Sequence, residues 1–196
     1  NSYTPEETSA TVKKVWDDAD NQDGKRPASL AVTLSDGTEV TLNEGNGWTA
    51  TVEGLAKYAD GEEITYTWTE GEVPEDYSLT DTSVSGTVTT ITNKHVPETT
   101  TATVKKVWDD AENQDGKRPD ELKVTLSNGT EVTLNEGNKW TATVENLAKY
   151  AGGEVIEYTW AEGEVPEGYS LSGNVTDGTV TTITNKHVPE TTTATV

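Results

Sequence analysis

The sequence predicts an all-β protein made of two tandem antiparallel β-sandwich domains, and three observations carry that prediction. Apolar and polar residues alternate over short runs, with no helical period. Turn-forming pairs such as Asp36-Gly37 separate the runs. The whole pattern then returns at an offset of 92 residues, so that Lys14, Trp48, Tyr77 and Asn93 become Lys106, Trp140, Tyr169 and Asn185. A repeat of that length encloses its own core, unlike the short units of a solenoid.

Taken in order, residues 9–16 place Val12, Lys14 and Trp16 on one face and Thr11, Lys13 and Val15 on the other. Residues 29–35 (Leu30, Val32, Leu34) and 38–43 (Val40, Leu42) alternate around Asp36-Gly37, a hairpin signal. Asn43-Glu44-Gly45-Asn46 makes the next turn, and Trp48, Ala50 and Val52 continue the alternation. Residues 55–58 are too few for a stable helix and read as a helical turn in a crossover. Residues 63–70 hold Ile64, Tyr66, Trp68 and Glu70 in phase, and residues 77–79 and 87–93 are the last strands. That makes about seven strands per domain. The two copies differ most at 80–85 against 172–177, which reads as an exposed loop. His95 opens a short linker, residues 95–101, stiffened by Pro97.

Composition narrows the function. Hydrophobic content is 31%, and Phe, Met and Cys are absent, so six Trp, seven Tyr and the aliphatics must fill the cores. Without cysteine there is no disulfide, thiolate metal site or cysteine nucleophile. A formal charge of −21 repels phosphate backbones and excludes nucleic acid as a partner. No stretch is long and apolar enough to insert in a membrane. Small, lightly cored domains of this kind call for a staple other than a disulfide.

The ends read as parts of a longer array. Residues 1–6 align with 93–98, and residues 190–196 repeat 98–104 without change. The expected boundaries are therefore 1–7, the end of a preceding repeat, with Asn1 separated from its own domain; 8–97, the first full repeat; 98–189, the second; and 190–196, the start of a following one.

Three polar residues fall on the apolar phase: Lys14 with Val12 and Trp16, Glu70 with Tyr66 and Trp68, and Asn93 with Ile91. The assignment of Asn93 is weakened by Val88, which lies on the opposite phase. Burying such groups apart is costly, so they are expected to meet. Periodicity alone favours a Lys14–Glu70 ion pair near the sandwich edge, or outward snorkelling, over covalent chemistry.

The ordered motifs change that balance. WDD-x-x-NQDGKRP after V-x-K-x-W, then YTWTEGEVPEDY, then TITNKH, resemble the B-type repeat domain of the staphylococcal collagen adhesin, and the resemblance covers both repeats. It implies a seven-stranded, transthyretin-like or reversed immunoglobulin-like sandwich carrying an intramolecular Lys–Asn isopeptide bond assisted by a buried Glu. Matched by motif, the bonded pair is Lys14 and Asn93 with Glu70 assisting, and in the second repeat Lys106 and Asn185 with Glu162 assisting. Burial lowers a lysine's pKa and frees its amine, and raises that of a glutamic acid, which can then polarise the amide. Lys13 and Lys105 are expected to remain solvated.

The bond would close a loop of 79 residues, constraining the unfolded chain by about 4.5 kcal/mol. Tension would then extend only the 13 residues from Asn93 to Lys106, to roughly 45 Å.

Other sites fare less well. Fitting residues 17–24 to an EF-hand with Gly24 as the glycine puts Ala19 first and Leu30 last, so a polar turn with Asp caps and Lys25 or Arg26 pairs is favoured. A carbohydrate-binding module would display its tryptophans, but Trp16, Trp48 and Trp68 share the aliphatic phase. His95 and His187 have no partner visible in sequence, and no serine sits in a nucleophile elbow.

The expected role is that of monomeric, non-enzymatic stalk repeats, without cofactor or metal, whose partners are neighbouring repeats of the same chain. The resemblance implies a secreted protein attached to the cell wall of a Gram-positive-type bacterium, with the host ligand bound outside these residues. The rival expectation is that the repeats themselves bind a host ligand or glycan.

Overall fold

The computed structural model describes residues 4–196. Of the residues expected to end a preceding repeat, 1–7, the first three lie outside the described residues; 4–6 form no strand and Glu7 opens the first one. The chain divides into two compact units, the first up to Pro97 and the second from Glu98, except that Tyr150–Glu154 group with the first.

The first unit contains β1 (Glu7–Asp17), β2 (Ser29–Leu34), β3 (Glu39–Asn43), β4 (Thr49–Ala56), β5 (Tyr58–Ala59), β6 (Glu62–Glu63), β7 (Trp68–Glu70), β8 (Ser78–Ser85) and β9 (Val88–Lys94). A four-stranded sheet, β4-β1-β9-β8, faces a three-stranded sheet, β3-β2-β7, and β5-β6 form a small hairpin. The sandwich thus has seven strands. Pairing among its described strands is antiparallel except between β1 and β9, which run parallel.

The second repeat follows the same plan with β10 (Thr99–Asp109), β11 (Glu121–Leu126), β12 (Glu131–Asn135), β13 (Thr141–Ala148), β14 (Tyr150–Ala151), β15 (Glu154–Val155), β16 (Trp160–Glu162), β17 (Ser170–Asp177) and β18 (Val180–Lys186). Its sheets are β13-β10-β18-β17 and β12-β11-β16, and residues 190–196 form no strand.

Alternation explains the core. Val12, Leu30, Val32, Leu34, Leu42, Trp68 and Ile91 meet between the sheets, and burying each such aliphatic contributes about 1.5–3 kcal/mol. The second core consists of the same positions shifted by 92, among them Val104, Val124, Leu134 and Ile183. The Asp36-Gly37 hairpin is present, with Gly37 at φ 92° and Asp36 accepting from the Thr38 amide at 2.8 Å. The turn at residues 44–46 is a 3-10 turn closed by a reciprocal Asn43–Asn46 capping box.

Three local expectations are corrected. Residues 55–58 form no helical turn: β4 runs on to Ala56, because Leu55 is anchored in the core and Glu7 pairs with Ala56. The variable stretch 80–85 is exposed but is not a loop. It belongs to β8, an edge strand exposed along its whole length and held by its backbone ladder to β9. Residues 63–70 are not one continuous strand: only Trp68–Glu70 pair with β2, although Trp68 and Glu70 keep the buried phase.

Candidate functional site: a buried lysine, acid and amide in each unit

The parallel β1–β9 register sets Lys14 opposite Ile91 and Trp16 opposite Asn93. Lys14 and Asn93 are therefore diagonal neighbours on one inward face, close enough for a long side chain to span. Glu70 approaches from the other sheet, on β7, opposite Val32 of β2. The three residues thus meet in the space between the sheets, and all three are buried.

Their contacts converge on one atom. Lys14 Nζ donates to Glu70 Oε2 at 2.6 Å, and Asn93 Nδ2 donates to the same oxygen at 3.2 Å. Lys106 and Asn185 donate to Glu162 Oε2 at 2.7 and 3.1 Å. Among the described residues, Glu70 Oε1, Asn93 Oδ1, Glu162 Oε1 and Asn185 Oδ1 are buried without hydrogen-bond partners. Four acceptors left without donors are unusual in a protein interior.

Burial pushes the Lys14 amine below the ordinary lysine value, outweighing the hydrogen bond and charge of Glu70, which pull it upward. Lys106 is lowered for the same reason. Each ammonium also lies over a tryptophan ring, Lys14 at 5.1 Å from Trp16 and Lys106 at 4.8 Å from Trp108. Lys13 and Lys105 are exposed, as their phase requires.

Some supporting residues are invisible to pattern reading. Trp48 takes a left-handed conformation at φ 58°, uncommon for a bulky side chain. In that pose its carbonyl accepts from the Lys14 amide at 2.8 Å and its ring meets Trp16 edge-on at 5.0 Å. Trp140 does the same above Lys106 and Trp108. Nothing in the sequence of the turn at residues 43–46 signals a left-handed Trp48.

The acidic loop is structural. Asp18 accepts from the Asn21 amide at 3.0 Å, from the Arg26 guanidinium through both oxygens at 3.0 and 2.7 Å, and from the Tyr77 hydroxyl at 2.8 Å. These bonds hold Ala19, Asp20 and Asn21 in three successive left-handed conformations. Lys25 pairs instead with Asp76, at 3.1 Å. The histidines have partners distant in sequence: His95 Nε2 meets Asp23 at 2.9 Å and its Nδ1 meets the Asp76 carbonyl at 2.9 Å. His187 bonds Asp115 and the Gly168 carbonyl at 3.0 and 2.7 Å. Each histidine and its acid lie 72 residues apart, beyond the reach of local pattern.

The fold and the site together define a tandem all-β repeat protein in which a lysine, an acid and an amide are buried between the sheets of each unit. The model of the Cna protein B-type domain matches residues 10–94 and 102–186, and the chain belongs to that family. It is 45% identical to a collagen adhesin of Staphylococcus aureus over 201 residues, covering 98% of this chain and 16% of that protein. The crystal structure of two B repeat units of the S. aureus collagen-binding protein superposes with a TM-score of 0.81 at 42% identity, covering 95% of this chain and 51% of that one.

Proposed function

We propose that the two repeats are stalk units of a cell-surface adhesin or pilus-like protein. In this reading each is closed by an autocatalytic intramolecular isopeptide bond, Lys14 to Asn93 and Lys106 to Asn185. The observation that carries the proposal is the convergence of Lys14 and Asn93 on one oxygen of buried Glu70.

The chemistry follows from that arrangement. Lys14 passes a proton to Glu70, which leaves a neutral amine beside the amide. The proton arrives on Oε2, the oxygen that Asn93 Nδ2 also contacts. Lys14 Nζ attacks Asn93 Cγ, and the carbonyl oxygen takes up the developing charge. Glu70 then delivers its proton to Nδ2, the Cγ–Nδ2 bond breaks and ammonia leaves, and the Glu70 carboxylate takes the second proton that Nζ sheds as the new amide forms. One amine and one primary amide become one secondary amide and ammonia. The fold supplies the effective concentration, and the reaction occurs once per repeat. Glu162 serves the same role for Lys106 and Asn185.

Family membership and similarity to an adhesin's repeats support the stalk role, and the repeats act on no outside substrate. The domains run from 8 to 97 and from 98 to 189, and their partners are adjoining repeats of the same chain. The protein is extracellular and monomeric, attached to the wall of a Gram-positive-type bacterium, and its host ligand binds elsewhere. Direct glycan binding by the repeats finds no support in Trp48 and Trp68, which are only 9% and 5% exposed, while Trp16 is half-buried and meets Trp48 and Tyr77 edge-on.

Intact-mass measurement tests the bond. The chain should lack two ammonia equivalents, and Lys14→Ala and Lys106→Ala should each restore one. A native chain at its unmodified mass overturns the proposal.

A further inference from the structure

The two repeats differ at the free edge of the smaller sheet. In the first unit, Ser35 N donates to Thr67 O at 2.9 Å, so Thr67 and Thr69 turn their backbone groups towards β2. By the alternation of an antiparallel ladder, Tyr66, Trp68 and Glu70 present theirs to the opposite, unpaired edge. The facing sheet extends one strand further, to β8, and the inner face of β8 is uncovered, with Val84 65% exposed. Where the chain enters that edge lies a cleft of about 240 Å³, lined by residues 63–66 on one side and by residues 8–10 of β1, Val84 and Thr89 on the other. Its rim carries Glu63, with Glu62 beside it, both exposed.

In the second unit a side chain reaches across to the same edge. Asn174, on β17, donates from Nδ2 to the Trp160 carbonyl at 3.0 Å, spanning the gap between the sheets. The cleft there shrinks to about 170 Å³, Thr176 stands where the first unit has Val84, and Val155 stands where it has Glu63. The position of Asn174 corresponds to Thr82, whose shorter side chain makes no such bond to Trp68 among the described residues.

From this asymmetry we infer that the first repeat accepts an extended, cationic peptide strand along the β7 edge. The strand bonds the free backbone groups of Tyr66, Trp68 and Glu70 and packs alternate side chains on Ile64, Tyr66 and Val84. It would extend the three-stranded sheet to four, equal to its partner, and needs about 5–6 residues. Apolar or β-branched residues suit the floor of the cleft, and Lys or Arg at the strand's ends suit Glu62 and Glu63. A second copy of this chain, at −21, is repelled from the same edge.

The probe is a fluorescein-labelled octapeptide of alternating valine and threonine flanked by lysines, titrated into the two-repeat chain by fluorescence anisotropy. A glutamate-flanked version and one with a central proline serve as controls. The lysine-flanked peptide should bind at one site, with NMR shifts confined to residues 64–70 and 80–86, and both controls should bind more weakly. Thr82→Asn, which brings in the residue of the second repeat, should weaken binding about tenfold or more. The inference is overturned by no binding of the lysine-flanked peptide, by equal binding of the glutamate-flanked one, by shifts elsewhere, or by indifference to Thr82→Asn. Concentration-dependent dimerisation without peptide binding overturns it in favour of self-pairing.

Discussion

Replacing Asn93 by alanine removes the electrophile of the proposed bond while keeping the Lys14–Glu70 ion pair, 2.6 Å long and buried. The crosslink closes 79 residues, and its loss frees the unfolded chain by about 4.5 kcal/mol. The orphaned amide contacts of Glu70 add about 1 kcal/mol or more. For a domain of this size about 4.5 kcal/mol corresponds to a fall in Tm of roughly 20–35 °C. Calorimetry of the two-repeat chain carries its own reference, since the second repeat is untouched and should keep its transition. Single-molecule stretching gives an independent number. The native first repeat should release no length between residues 14 and 93, whereas Asn93→Ala should release roughly 260–280 Å of chain on unfolding. A fall in Tm below about 5 °C, or equal released lengths in the two proteins, refutes the reasoning.

Other expectations follow from the same geometry. Glu162→Ala should leave the second repeat heavier by one ammonia while the first remains closed, read by mass after cleavage between the units; closure of both would remove the glutamate from the chemistry. Asp110 is held at about 2, first by the Arg118 guanidinium, against burial, and further by Tyr169 and the Asn113 amide. Its folded pKa is depressed, so its stabilisation of about 2 kcal/mol is present above the unfolded value of 3.8 and lost as pH falls through about 2. Urea midpoints of Asp110→Asn and native protein should therefore differ at pH 7 and converge near pH 2. Burial lowers His95, but Asp23 and the Asp76 carbonyl outweigh it and leave it raised, and Asp115 raises His187 directly. The stabilisation from both is full below the free value of 6.5 and lost as pH rises through their folded values; NMR titration giving either at or below 6.5 contradicts this. Lys139 sits left-handed at φ 53° where the first repeat has Gly47, so Lys139→Gly should raise the second repeat's stability by about 0.5–1 kcal/mol in denaturant melts.

Much of the site was legible because strands alternate with a period of two. Lys14 and Glu70 could be placed inward from their neighbours, and the structure buries both. Asn93 was harder, because Val88 lies on the other phase; Val88 faces outward and Thr89 takes the inner position. What periodicity cannot carry is the identity of a strand's neighbour. The parallel β1–β9 pairing, which brings Lys14 within reach of Asn93, has no signature in either strand. Strand β8 lacked any apolar alternation because neither of its faces is covered, and only its backbone bonds reveal it. The His95–Asp23 contact depends on two loops meeting in space, and the left-handed Trp48 on a turn whose glycine precedes it.

Strands β8 and β17 are the segments in which the two repeats have diverged most, and both lie between the lysine and the asparagine of their own unit. With the proposed bond in place, a pulling force leaves β1 at Lys14 and rejoins the chain at Asn93, so no residue between them along the chain bears tension. Selection on strength then acts on a few positions near the two strand ends, while the intervening surface is free to drift. A repeat built this way can be copied many times and altered copy by copy, acquiring new surfaces such as the open edge of the first unit without weakening the fibre.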